Sequence, residues 1–163
     1  MKNRLQLLVI LALTALAIAT TAQTVKMPYA ESIENAKLAG ISVNGLDSVY
    51  ESAVHVDSTK AVFKTEKEQD SLIKEYTVFL RGFGEFLDMH EFKWGQPTKL
   101  WNRIYFNADG TVEYYLYSFH TAISAEREKQ FQELLRTYSA SHKIGITGPR
   151  SFAQCSPVMY MDK

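Results

Sequence analysis

The chain has 163 residues, 18 basic and 18 acidic, and 12% of them are aromatic. With charges balanced and no lysine/arginine block, nothing attracts a polyanion, so nucleic acid is not an expected partner. The aromatic content argues for a packed core and against disorder.

The first residues read as an export signal. Met1-Lys2-Asn3-Arg4 is a basic head, Leu5 to Ala19 carries no charge, and Thr20-Thr21-Ala22 supplies small residues before Gln23. That order is a secretory signal peptide. The apolar run is shorter than the ~20 residues of a spanning helix, so no stable membrane span is expected after cleavage. The expected division is residues 1–22 as signal peptide and 23–163 as a single α+β domain. Its N-terminal half, 28–90, is expected to be helical, and its C-terminal half, 99–163, strand-helix-strand. Removing Lys2 and Arg4 leaves 16 basic and 18 acidic residues, a net charge of −2. The expected location is exported, periplasmic or secreted.

Pro28 opens a short helix through Lys37, which Gly40 ends. Asn44-Gly45 is a turn signal. Leu46, Val49, Tyr50 and Ala53 then fall on one face of a second short helix. A longer helix is expected over about 66–87. Thr65 and Glu68 match a capping box. Leu72, Ile73, Tyr76, Phe79, Leu80, Phe83, Phe86 and Leu87 form one apolar stripe. Gly82 and Gly84 are unfavourable inside a helix and point either to a close approach by another element or to a loosening of the helix before Asp88. Trp94 and Trp101 bracket a connector and are expected to pin it to the core.

An aromatic hairpin follows, 101–107 and 111–119, turning at Asn107-Ala108-Asp109-Gly110 as a type I turn closed by a left-handed glycine. Ile104 and Phe106 share one side of the first arm, with Arg103 and Tyr105 on the other. In the second arm Val112, Tyr114 and Leu116 lie opposite Glu113, Tyr115 and Tyr117, unless a bulge near Glu113 exchanges the later residues. Tyr105, Tyr115 and Tyr117 are the candidate binding face. A helix over about 125–140 begins at the Ser124 cap, with Phe131, Leu134, Leu135 and Tyr138 inward. The last run, 151–161, alternates as a strand, and Pro157 makes it an edge strand or a bulged one. The fold class is therefore α+β: a small antiparallel sheet packed against two helices.

Chemistry is sparse. Asn107 to Gly110 is not a calcium loop, because Tyr105 and Leu116 stand where oxygen ligands are needed. His55, His90, His120 and His142 show no metal spacing. No metal, cofactor or catalytic residue is assigned. Cys155 is the only cysteine, so no internal disulfide exists. It is expected to be a small buried hydrophobe, with a reactive thiol as the alternative. An envelope thiol enzyme would pair it with His120 or His142.

From Asn102 to Met161 the order is strand, Asp-Gly turn, strand, helix, strand, with Asp109-Gly110-Thr111-Val112 at the turn. This resembles the C-terminal domain of TonB-type energy transducers and implies a similar fold and, as an alternative function, a coupling role. The Ala22-Gln23 junction and the overall pattern also resemble small exported Bacteroidota proteins of unknown function. The leading expectation is a non-catalytic domain that binds a protein or an envelope component.

Overall fold

The computed structural model describes residues 27–162. The signal peptide expected at 1–22 lies outside them. Among the described residues, five strands form one mixed sheet in the order β1-β4-β3-β5-β2. The strands are β1 (Tyr29–Ser32), β2 (Glu51–Ser52), β3 (Thr98–Phe106), β4 (Val112–Phe119) and β5 (Phe152–Tyr160). The helices are α1 (Ile33–Leu38), α2 (Val43–Asp47), α3 (Glu66–Met89) and α4 (Ala125–Ser141).

The central strands β4, β3 and β5 pair antiparallel, as their sequence predicts. The outer two correct the expectation. β1 runs parallel to β4 and β2 parallel to β5, so the sheet is mixed and the N-terminal half is not purely helical. Where one helix was expected from Pro28, four residues pair as a strand first, and Ser32 then caps α1 by accepting from Asn35 N–H at 3.2 Å. Where a helix was expected from Leu46 to Ala53, Ser42 starts α2 earlier, accepting from Gly45 N–H at 3.1 Å, so Asn44-Gly45 lies inside the helix. Both strands are too short to carry a periodic signal, and pairing with a neighbour decides them.

α3 begins at the expected capping box, with Thr65 and Glu68 satisfying each other's backbone donors. Its stripe packs with Phe131, Leu135 and Tyr138 of α4 on one face of the sheet, over Leu100, Ile104, Phe106, Tyr115 and Tyr117. The two glycines are explained here. A Cβ on Gly82 would stand 2.6 Å from the Tyr138 hydroxyl, and one on Gly84 would stand 3.3 Å from the Tyr160 ring. Those tyrosines cross α3 at the gaps: Tyr138 donates to Phe79 C=O at 2.8 Å and Tyr160 to Leu80 C=O at 3.3 Å. Ile73 departs from the expected stripe, being 45% exposed.

The hairpin turn forms as expected, with Gly110 at φ 87° and its N–H donating to Asn107 C=O at 2.9 Å. Asp109 Oδ1 accepts from Thr111 N–H and Oγ1, a local cap that uses this carboxylate within the turn. The bulge at Glu113 is present: Tyr105 pairs with Tyr114, while Phe106 pairs with Val112. Val112, Tyr115 and Tyr117 consequently face α3 and α4, and Tyr114 and Leu116 face the other way. On that second face α1, α2 and Tyr50 cover Tyr105, Leu116 and Ala153.

Candidate functional site

The tyrosine face expected from the sequence does not exist. Tyr105, Tyr115 and Tyr117 are each 0% exposed. The bulge also divides them, Tyr105 lying on one side of the sheet and the other two on the opposite side. Tyr105 donates to Asp47 Oδ1 at 2.9 Å. Burial, helped by the hydrogen bond to Asp47 and only partly offset by Arg103, leaves its phenol well above the ordinary tyrosine range. Burial likewise raises Tyr115 and Tyr117. All three are core residues.

Cys155 also departs from expectation. It is a free thiol, half-buried rather than enclosed. Its cross-strand partner in register is Arg103. That guanidinium holds Asp47 Oδ1 through Nε at 3.1 Å and Nη2 at 2.7 Å, and its carbon lies 5.6 Å from the Tyr105 ring centroid. Burial lowers the Arg103 pKa, but the Asp47 and Tyr105 interactions outweigh it and the net shift is upward. Among the described residues, the groove that Cys155 lines includes neither candidate base. His142 stacks on Tyr138 at 4.1 Å, at the end of α4. His120 follows β4 and lines a depression with Trp101, Pro157 and Met159. His90 caps α3 against Phe86 at 4.0 Å, and His55 is in an exposed loop. No group of three or more His, Cys, Asp or Glu residues that could hold a metal occurs among the described residues.

What the structure does assemble is an open strand edge. β5 pairs with β3 along its whole length, from Phe152 to Tyr160. On its other side, among the described residues, β2 covers only Phe152 and Ala153. Ala153 turns its carbonyl outward to accept from Ala53 N–H at 2.8 Å. Backbone polar groups alternate along a strand, so Cys155, Pro157 and Met159 also present theirs outward. Pro157 therefore costs the β3 ladder nothing, which is how proline is tolerated in sheets. The sequence expectation of an edge at Pro157 holds from Gln154 onward.

Each side of this edge is concave. Towards α3 lies a groove of about 560 Å³, whose lining includes Ile73, Thr77, Leu80, Arg81 and Met159. It runs on past Arg81 to Gly84, Glu85 and Asp88. On the opposite face, below the cover of α1 and α2, lies a depression of about 420 Å³ lined by Trp101, His120, Pro157 and Met159 among others. Met159 is 50% exposed and borders both. Tyr76 fixes the floor of the groove, its hydroxyl 3.1 Å from Ser156 Oγ, with burial raising its pKa. Apart from Pro157, none of these residues was marked in the sequence as bordering an open edge. Ile73 read as core, and Arg81 as ordinary helix surface.

No family model, no curated protein and no solved structure matches the chain.

Proposed function

We propose that this protein is an exported, non-catalytic binding domain that takes up an extended segment of another polypeptide along the free edge of β5. The observation that carries the reading is the open edge with an apolar hollow on each face. An added strand forms backbone bonds to the edge, and its side chains point alternately to the two faces. At β5 one set would enter the α3 groove and the other would lie against Trp101. A second copy of the chain fits less well: a two-fold axis through Pro157 would set two residues without N–H donors opposite one another. The export step rests on the signal-like residues 1–22. The TonB-like alternative rests on the order β3, β4, α4, β5, and the thiol-enzyme alternative on the half-exposure of Cys155.

Met159→Pro provides the test. Met159 faces outward, so the substitution removes an outward donor while sparing the β3 ladder, as Pro157 already does. A random linear heptapeptide library is selected on the chain beginning at Gln23. The expected result is enrichment of extended, alternating sequences whose binding falls roughly tenfold or more on Met159→Pro, while the melting temperature stays within a few degrees. Failure to enrich any peptide, or equal binding by the variant, would overturn the reading.

A further inference from the structure

We infer that the polypeptide segment held at β5 carries an acidic side chain, and that Arg81 is the residue that selects it. The inference rests on the strand-addition reading above and adds the chemistry of the occupant. Three observations converge on it. Arg81 lies on the α3 wall where the two stretches of groove meet, and it lines both. It is exposed, with no ion pair or side-chain hydrogen bond among the described residues. The rest of the 560 Å³ stretch offers no other charged side chain: its lining is Ile73, Tyr76, Thr77, Leu80 and β5 itself.

A strand beside β5 alternates its side chains, so only every second residue faces α3. The one that reaches the level of Val158 and Tyr160 comes beside Arg81. A guanidinium there prefers a carboxylate, which it can hold through two parallel hydrogen bonds. The groove also sets a limit on where that acid can stand. Beyond Arg81 the wall carries Glu85, which opposes a second carboxylate further along. The occupant is thus an extended segment, apolar where it faces Ile73 and Leu80, with one acidic residue at Arg81 and none beyond it.

The test repeats the heptapeptide selection on wild type and on Arg81→Glu in parallel. Arg81 is exposed, so the variant is expected to keep its fold, checked by an unchanged melting temperature. Wild type should enrich Asp or Glu at one fixed position, two residues from an apolar position. Arg81→Glu should replace that preference with Lys or Arg. For a single selected peptide, changing its acidic residue to the amide should weaken binding to wild type by roughly fivefold or more and leave binding to Arg81→Glu unchanged or improved. Enrichment without an acidic preference, or the same preference on both proteins, overturns this inference and leaves strand addition standing. Enrichment of nothing on either protein overturns both.

Discussion

Along β1 the carbonyl of Ala30 accepts from Gln132 Nε2 at 3.2 Å and from Arg136 Nε at 3.1 Å, both from α4. The same strand turns Glu31 back onto Ser32 N–H at 2.9 Å, and Arg136 Nη2 stands 3.7 Å from Glu31 Oε2. Along β5 the corresponding row has, among the described residues, one weak cover, Gln154 Nε2 donating to Cys155 C=O at 3.3 Å, and one missing donor at Pro157. One edge is closed by side chains from a helix built for it. The other has no such seal among the described residues and is only blunted against self-pairing. A chain that can seal an edge with a glutamine and an arginine, and does so on one side only, has two edges under different demands. Unpaired edges are otherwise a hazard that folds suppress.

The largest expected effect comes from opening the closed edge. Replacing both Gln132 and Arg136 with alanine leaves the Ala30 carbonyl without its two donors. Loss of these bonds, one of them to a cation, should cost about 1–3 kcal/mol in urea unfolding. Amide exchange should speed up across Ala30 to Ser32 while β5 keeps its protection. Unchanged stability would mean that α4 merely lies beside β1, and the contrast between the edges would fail. A smaller effect on stability, with a larger one on association, is expected at the open edge. Pro157→Val returns an outward N–H without disturbing the β3 ladder. Monomer stability should move by less than ~0.5 kcal/mol. Sedimentation at matched concentration should show more dimer than wild type, because the restored donor permits edge-to-edge pairing. An identical sedimentation profile would show that Pro157 does not guard this edge.

How much of this was legible in the sequence differs along the chain. α3 was readable because 24 residues carry a cap and a stripe of consistent period. The hairpin was readable because its turn residues and aromatic arms agree. β1 and β2 were not, since four and two residues give no period and owe their form to β4 and β5. The tyrosine face failed because helices cover both sides of the sheet, and its side assignment failed on a single residue. The extra Glu113 in the bulge shifts every later side chain of β4 to the other side of the sheet, and the face assignment of Tyr115 and Tyr117 shifts with it. Pro157 did mark the open edge. The grooves beside it were hidden, because Ile73 obeys the core period yet stands at the margin, and no local pattern shows that Arg81 has no ion-pair partner among the described residues.

The smallest effect concerns how an edge without a lateral seal is kept in place. β5 is fastened just past its end instead. Asp162 accepts from Trp94 N–H at 2.7 Å and from Gly95 N–H at 2.8 Å. Gly95 at φ 73° lets successive N–H groups converge, a concave arrangement suited to an anion. Just before it, Tyr160 stacks on Trp94 at 5.3 Å and 4°. The Trp94 bond, then the Gly95 bond, holds the Asp162 pKa below the ordinary carboxylate value. A depressed folded pKa adds stability that is present above the unfolded value of about 4 and is lost as pH falls through the folded value. Asp162→Asn keeps an acceptor but loses the charge. Its melting temperature should lie slightly below wild type at pH 7, and the gap should close in acid as pH falls through the lowered folded value. Exchange at Tyr160 and Met161 should rise in the variant, with β1 unaffected. A gap that persists unchanged in acid would assign the clasp to shape rather than charge. An absent gap at pH 7 would leave the Trp94–Tyr160 stack as the fastening of β5, and the open edge would then be held by aromatic packing alone.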